Sequence, residues 1–442
     1  MAAAGFLAPG RPAIRARAPG RLDVIGGIAD YSGSLVLELP LDRAVTATLQ
    51  AQHEPRLDVV TVRAGRQDTL SLTLEQIGAG ALPEGQPWAA YVAGVVRWCL
   101  ERADAQTLGR ADVPTHGGAA ARPRGLRILI ESTVPEGKGV ASSAALEVAT
   151  MMVTAAHLGI ELGNEELAAA CQWVENHYVG APCGIMDQMT SMCGEEGTLL
   201  KLLCQPATIE GHVAVPAGFR FYGIDSGIRH AVSGADYGLV RTAAFMGLRI
   251  ISETAPDAVP GGYLANLAPE RFVRLEQVLP DRMSGAEFLH RHHEIADPVT
   301  RVARDRLYPV LQATRHPVLE NARVHHFAAL LAELPGNPAC ATALGGLMYE
   351  SHRSYGDCGL GSEGTDRLVE MVREAGEAQG LYGAKITGGG SGGTVAILGT
   401  DRAGAAVREI ASRYAHETGR SAEVFSASGP GAARTGVIRL TA

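Results

Sequence analysis

The chain has 442 residues, 46% hydrophobic and 19% charged, which is the balance of a folded globular protein with apolar material enough for two lobes. Lysine plus arginine is 39 against 47 acidic residues, a net charge of −8, so a general nucleic-acid-binding role has no electrostatic support, although a local phosphate pocket remains open. No run approaches the ~18 apolar residues of a membrane span, the N-terminal segment lacks the apolar core of a secretory leader, and the cysteines form no CxxC pair, so a soluble cytoplasmic protein with reduced thiols is expected.

In chain order, strands are predicted over Val36 to Leu41, Ala44 to Leu49 and Leu57 to Val62. Trp88 to Arg102 reads as a helix, because Tyr91, Val95 and Cys99 recur every four residues. Residues 103–124, rich in Ala, Gly, Arg and Pro, read as an exposed loop, and Leu126 to Ser132 as a strand. That strand runs into a glycine loop and then the apolar segment Leu146 to Ile160. Asn164 is placed as the N-cap of a helix reaching about Val179, with Glu165 and Glu166 in its first turn. Strands at 198–204 and 219–225 and a helix at 236–253 follow. Residues 255–317, with several prolines and a His-rich stretch, are the least regular region. Helices near 319–334, 338–352 and 363–379, a strand at Tyr382 to Thr387, a second glycine loop, a strand at Thr394 to Leu398, a helix at 401–415 and strands near 422–426 and 435–440 complete an α+β lobe.

Four segments carry chemistry. Gly137-Lys-Gly-Val-Ala-Ser-Ser143 opens a helix, where free N–H groups and the helix dipole favour phosphate oxygens and the serine hydroxyls can meet phosphate or Mg²⁺. It is not a Walker A loop, since Gly139 rather than Ser or Thr follows Lys138. Gly388-Gly-Gly-Ser-Gly-Gly393 is a second glycine loop, and two such loops in one acidic chain fit an anion gripped from both sides. Gly184-Ile-Met-Asp187-Gln188 sets a carboxylate beside a turn, suited to taking a proton or serving as an ordinary cap. Ala18-Pro-Gly-Arg21-Leu-Asp23-Val-Ile-Gly-Gly-Ile-Ala-Asp30-Tyr31 packs an arginine, two aspartates and three glycines together. His290-Arg-His-His-Glu294 lacks the order of a metal motif and reads as a polar loop or helix end.

These segments, in this order, resemble the signature motifs of the GHMP kinases. Cys171-Gln-Trp-Val-Glu175, Pro182-Cys-Gly-Ile-Met-Asp187, Asp225-Ser-Gly-Ile-Arg-His230, Asp236-Tyr237 and Ser351-His-Arg-Ser354 are similar to galactokinases. The finer resemblance is to the kinase part of the L-arabinokinases, carried by residues 18–34, Pro135-Glu-Gly-Lys-Gly139, Gly227-Ile-Arg-His230, Gly234-Ala-Asp-Tyr237, Cys358-Gly-Leu-Gly-Ser362 and residues 383–393. The resemblance implies a two-lobed α+β fold: an N-lobe with a mixed sheet and helices, like ribosomal protein S5 domain 2, over 1–212, and a ferredoxin-like C-lobe over 213–442 with an insertion at 255–317.

The resemblance also implies roles. ATP and Mg²⁺ would be used, and the partners would be a small-molecule sugar and ATP, with no nucleic acid or membrane, in a monomer or homodimer. Asp187 would be the base at the sugar C1 hydroxyl, and Arg21 would steady charge on the attacking oxygen and the transferring phosphoryl group. Asp30, Gly27, Ile28, Gly184, Asp225 and Tyr237 are candidate sugar contacts. Trp88 and Tyr91 would flank the adenine. Gly137, Lys138, Gly139, Val140, Ala141, Ser142, Ser143, Gly389 and Gly390 would hold the phosphates, and Ser143 and Glu175 the metal. Galactokinases carry Glu and His where this chain has Gly27 and Ile28, and those residues help bind the hexose, including its C6 end. A pentose has no C6 hydroxyl, and buried polar groups left unpaired cost about 1–3 kcal/mol each. Gly27, with Ile28 partly filling the room, therefore suits L-arabinose. Galactokinase activity and a non-catalytic sugar and ATP sensor are the alternatives.

Overall fold

The two longest strands come from the first fifty residues. β1 (Ala13–Ile25) and β2 (Leu35–Gln52) bury nearly every apolar side chain and pair antiparallel from Ile14 with Leu49 to Ile25 with Leu37. The two strands expected at 36–41 and 44–49 are one, because nothing between them forces a turn and only Asp42 and Arg43 rise from the buried surface. The computed structural model describes residues 5–63, 65–82, 85–108, 125–229 and 235–440. Most of the expected 103–124 loop, and residues 230–234 of the Gly227 to Tyr237 stretch, lie outside the described residues.

β3 (Arg56–Arg63), β4 (Arg66–Thr73), α1 (Leu74–Gly78), α2 (Pro87–Leu108), β5 (Gly125–Ser132), α3 (Ser142–Leu158), α4 (Asn164–Val174), α5 (Met186–Cys193), β6 (Thr198–Leu203) and β7 (Thr208–Ala214) complete the N-lobe run. The sheet order is β1-β2-β5-β3-β4, with β6 and β7 continuing from the other end of β2, and only β3 and β5 run parallel. α3 is mostly apolar and buried from Ala144 to Ala155, with Glu147, Thr150 and Thr154 as its buried polar residues. Asn164 is the first helical residue of α4 rather than its cap. Gly163 already has the extended cap conformation, and its carbonyl takes the first helical bond from Leu167 at 2.8 Å.

The C-lobe begins with β8 (Phe219–Asp225) and α6 (Ala235–Thr254). Residues 255–309 follow with short turns, α7 (Pro269–Leu275), β9 (Met283–Ser284), α8 (Gly285–His292) and β10 (Leu307–Tyr308). This region has an apolar core of its own, in which Leu264, Phe272, Phe288 and Tyr308 pack with Ile251 and Val310. His290 and His292 close α8, as a helix end. α9 (Val310–Glu333) starts well before the expected residue 319 and carries Pro317 through its interior, where burial of the surrounding turn outweighs the lost backbone bond. After α10 (Cys340–Asp357) comes α11 (Glu363–Ala375), whose Leu368, Val369, Met371 and Val372 face inward and whose Ser362 caps the Thr365 N–H.

β11 (Leu381–Ile386), β12 (Thr394–Thr400), α12 (Gly404–Thr418) and β13 (Val424–Phe425) finish an antiparallel sheet in the order β11-β12-β8-β13. Counted along the chain this is 2-3-1-4, with helices after the first and third strands, which is the ferredoxin-like arrangement. α13 (Ala432–Thr435) and β14 (Val437–Leu440) then leave the C-lobe, and β14 pairs with β1 in the N-lobe sheet. All seven cysteines are free. Among the described residues no helix is long and apolar enough to cross a membrane.

Candidate active site

The two glycine loops meet backbone to backbone between the lobes. A Cβ on Gly388 would lie 2.9 Å from the Gly139 carbonyl oxygen, and one on Gly393 would lie 2.8 Å from the Lys138 carbonyl oxygen. Thr394 Oγ1 donates to that same Lys138 carbonyl at 2.8 Å. Each loop also holds a non-glycine residue in the left-handed region, Ala141 at φ 58° and Ser391 at φ 56°. Such strain persists only where surrounding contacts enforce it, and it gathers at ligand clamps. Ala141 directly precedes Ser142, so the open N–H groups of α3 begin at the loop.

Beside the loops lies a cleft of about 430 Å³. Arg21, from the middle of β1, forms its floor. Arg21 Nη2 lies 2.7 Å from Asp187 Oδ1, its Nη1 donates to the Gly139 carbonyl at 2.6 Å, and its Nε is 3.3 Å from Glu38 Oε2. Burial opposes the charged guanidinium, but Asp187, Glu38 and Asp23 around it hold it cationic even more firmly than usual. Asp187 sits in the first turn of α5 and faces the cleft.

Asp30 comes from the 3₁₀ turn after β1. It is 4% exposed, takes the Met186 N–H on Oδ2 at 3.4 Å, and leaves Oδ1 without a partner. Burial and the nearby Asp187 push its carboxyl up to about 7, against the pull of Arg241. Gly184 explains the turn beside it, since any Cβ there would overlap the Asp30 carboxyl.

Deeper in, Glu175 and Glu147 are both buried and linked through Gln188, whose Nε2 donates to Glu175 Oε2 at 2.7 Å and to Glu147 Oε2 at 3.3 Å. Ser143 and Tyr91 hydrogen-bond Glu175. Burial raises both carboxyls above the ordinary range, helped by the Glu175 charge at Glu147 and by the Asp187 charge at Glu175, and Glu147 Oε1 and Gln188 Oε1 remain unpartnered. Among the described residues no set of three or more His, Cys, Asp or Glu is arranged to hold a metal alone.

Of the residues singled out from the sequence, Arg21, Asp30, Trp88, Tyr91, Gly137, Gly139, Ala141, Ser142, Ser143, Glu175, Gly184, Asp187, Tyr237 and Gly389 line the cleft. Six do not. Gly27 abuts the Tyr355 hydroxyl, and Ile28 is wholly buried in the core of the 255–317 region. Asp225 is buried and paired with Lys138 Nζ at 2.7 Å, and Lys138 also reaches Glu423 at 3.3 Å. Val140 packs in the N-lobe core, and Gly390 presses on Leu360. Tyr91 lines the cleft and hydrogen-bonds Glu175. Trp88 does stand at the mouth, with the Arg63 guanidinium 5.4 Å from its ring centre and Arg63 in turn paired with Asp68 and Glu136. The sequence reading missed Arg63, Glu147, Gln188, Glu38 and Arg241. Glu147 was within reach, four residues after Ser143 on one helix face, and so was Arg241, four after Tyr237; Arg63 and Glu38 read as ordinary strand residues.

Outside the cleft wall, Asp23 and Lys385 form a fully buried ion pair across the lobes at 2.7 Å. Asp23 also accepts the N–H groups of Gly27 and Gly388 at 3.2 Å each, and the Tyr355 hydroxyl bonds the Gly388 carbonyl at 3.1 Å. One carboxylate thus ties the first motif to the last glycine loop.

Comparison with known proteins agrees with this geometry. The GHMP kinases N terminal domain matches residues 94–195 and the GHMP kinases C terminal domain residues 337–416. The chain is 41% identical to an L-arabinokinase of Arabidopsis thaliana over 96% of its own length and 46% of that protein's, so it spans about half of that relative. It is 32% identical to a galactokinase of Chloroflexus aggregans, covering 93% of this chain and 91% of that one. In fold it resembles the galactose complex of Lactococcus lactis galactokinase, with a TM-score of 0.76, 20% identity and coverage of 99% and 97%. The chain belongs to the GHMP kinase family and is a sugar kinase of the galactokinase and L-arabinokinase type.

Proposed function

We propose that the protein transfers the terminal phosphoryl group of ATP to the C1 hydroxyl of L-arabinose, giving ADP and β-L-arabinose 1-phosphate. The observation that carries the choice of a pentose is Gly27. Its φ is +30°, a Cβ there would overlap the Tyr355 hydroxyl, and the same Cβ would come within 2.5 Å of Asp23 Oδ2. A side chain that could bond a C6 hydroxyl has no room at this position. Ile28 does not fill that room, since its side chain turns into an apolar core, and the Tyr355 hydroxyl lies against the Gly27 backbone and takes the Ile28 N–H. The higher identity to an L-arabinokinase than to the galactokinases supports the same choice.

In this reading the C1 oxygen attacks the γ-phosphorus, the bond to the bridging oxygen of ADP breaks, and the proton of the C1 hydroxyl passes to Asp187. Arg21, held between Asp187 and the Gly139 carbonyl, faces the charge that develops on the transferring group. The unpartnered Asp30 Oδ1 accepts from a ring hydroxyl, while Tyr237 and the Gly184 turn close the sugar's other side. The α3 N-terminus and the backbone at Gly139 and Gly389 receive the phosphates. Ser143 and Glu175 are hard oxygen donors of the kind that bind Mg²⁺ together with substrate phosphates, and the buried Glu175 carboxyl lacks a cation to balance it. Bound there, Mg²⁺ would neutralise β- and γ-phosphate charge.

Coupled ADP release on L-arabinose, D-galactose, D-galacturonate and D-glucuronate tests the proposal. L-arabinose is expected to exceed D-galactose in kcat/KM by at least ~10-fold, the scale on which a poorly matched buried polar group discriminates. Galactose as the better substrate would make the chain a galactokinase, and sugar binding without ADP release would make it a sensor.

A further inference from the structure

The 255–317 region has no part in the chemistry described so far, yet it reaches the sugar side of the cleft through one residue. Asp297, 2% exposed, lies in the loop between α8 and β10. Its carboxylate takes the Val299 N–H at 3.1 Å and the Thr300 hydroxyl at 2.6 Å, which fixes it in its own loop. Both oxygens then grip Arg241 of α6, with Nε and Nη2 each at 2.8 Å. A two-pronged pair of this kind sets the direction of a guanidinium as well as its charge.

The remaining prong of Arg241 points at the site. Nη1 donates to the Cys183 carbonyl at 2.8 Å, directly before Gly184 and the turn that carries Asp187. The guanidinium lies 5.6 Å from the Tyr31 ring centre and 5.8 Å from that of Phe245, and these rings are neighbours 6.3 Å apart, so an aromatic pair lies against one side of it. Tyr237, one helical turn earlier on α6, lines the cleft. Asp30, with its unpartnered Oδ1, stands where the Arg241 charge is felt.

We propose that Arg241, locked by Asp297, is a positioning residue for sugar binding: it fixes the Cys183–Gly184 turn through the Cys183 carbonyl and supplies the cation that faces Asp30. The region at 255–317 is then a brace for the sugar half of the cleft. The proposal rests on reading Asp30 as a sugar contact. The groups facing Asp30 are Asp187 from α5, Arg241 and Tyr237 from α6, Tyr31 beside it, and Cys204 beyond β6. Arg241 is the cation of this set, so its removal takes away a charge that favours the ionised Asp30 carboxyl and leaves the opposing Asp187 carboxyl in place.

The test compares Arg241→Met, Arg241→Lys and Asp297→Asn with the unaltered protein, using whichever sugar that protein turns over. In Arg241→Met, kcat/KM for the sugar is expected to fall at least ~10-fold and its acid limb to move up by about one pH unit, with KM for ATP changing less than ~3-fold. Arg241→Lys keeps the charge and loses the fork, so sugar KM rises while the acid limb stays within about 0.3 unit. Asp297→Asn leaves the guanidinium in place and loosens its hold, and a rise in sugar KM alone is expected. It carries the test should Arg241→Met not fold by circular dichroism. An acid limb unmoved in folded Arg241→Met, or sugar and ATP KM rising together in any of the three variants, overturns the proposal. An unaltered protein that phosphorylates no sugar would instead overturn the functional reading, and that result appears before any variant is made.

Discussion

The sugar half and the nucleotide mouth of the cleft are built differently. Arg21, Asp30 and Arg241 are buried groups from β1, the turn after it and α6, with the two arginines each held by two or more partners and Asp30 by the Met186 N–H. At the mouth, Arg63, Asp68 and Glu136 trade ion pairs near solvent, and the Arg66 side chain is 79% exposed. A buried charge tolerates one arrangement of partners, whereas an exposed one is screened and can re-pair. On the proposed function, the side that would select and activate the sugar is therefore built for one arrangement, and the side that would admit the nucleotide can re-pair. Substitutions should divide accordingly, with large losses on the sugar side and small ones at the mouth.

The largest effect is expected from Asp187→Asn. Loss of the proton acceptor should lower kcat by about 10²–10⁴-fold, while binding of ATP, measured by calorimetry, stays within a few-fold. Turnover that survives the substitution would remove Asp187 from the proton-accepting role and leave Arg21 and the phosphate loops to carry the rate.

Next is the strut beneath both halves. Asp23→Asn or Lys385→Met leaves one buried charge unpaired and should destabilise the fold by about 3–5 kcal/mol in denaturant unfolding. The double variant removes both charges and should recover part of that loss. If the single variants melt like the parent, the pair is not what joins the first motif to the Gly388 loop.

The sugar half also has a pH signature. The Asp30 carboxyl is raised from 3.8 to about 7, first by burial and then by Asp187. An acid raised in the fold contributes stability that is fully present below pH 3.8 and is lost as pH climbs through 7. Sugar binding, in contrast, uses the ionised carboxylate and weakens as pH falls below 7. Asp30→Asn should therefore raise the melting temperature at pH 8, consistent with about 1 kcal/mol or more of relieved cost, and abolish measurable sugar affinity. A variant that loses affinity and stability together would make Asp30 a structural residue.

At the mouth, Trp88→Ala and Arg63→Ala should raise KM for ATP by about 5–10-fold, the worth of one lost aromatic or cation–π contact, and leave sugar KM alone. A matching rise in sugar KM would break the division between the halves.

What was legible in the sequence follows the same division. The family resemblance carried by the ordered motifs was enough for the fold and for bringing Arg21, Asp30, Glu175 and Asp187 to one cleft, while the close approach of the two glycine loops left its mark in residue type. Partners brought together by tertiary packing leave none. Asp297 is 56 residues from Arg241, and Lys385 is 362 from Asp23. Nothing local to Gly27 announces that Tyr355 will press against it, which is why Ile28 was given the wrong task. Asn164 misled in the opposite way: a good cap by type, it was pre-empted by a glycine already in the cap conformation.

Lys138 gives the smallest effect and the finest test of the comparison. A lysine in a phosphate loop invites a phosphate contact, but here its ammonium is committed to the buried Asp225 and to Glu423. Burial opposes its charge, while these two carboxylates more than offset that and raise it. Moving it to a phosphate would strip the buried Asp225 of its cation and leave it the Gly227 N–H. Lys138→Met should accordingly raise KM for ATP by only about 2–3-fold, the scale of an indirect change near a loop, with a modest loss of stability as Asp225 is left uncompensated. A rise beyond about 10-fold, worth 1.4 kcal/mol, would mean that the ammonium leaves Asp225 when nucleotide arrives. The nucleotide half would then contain a switching charge of its own, and the contrast between a rigid sugar side and a passive mouth would no longer hold.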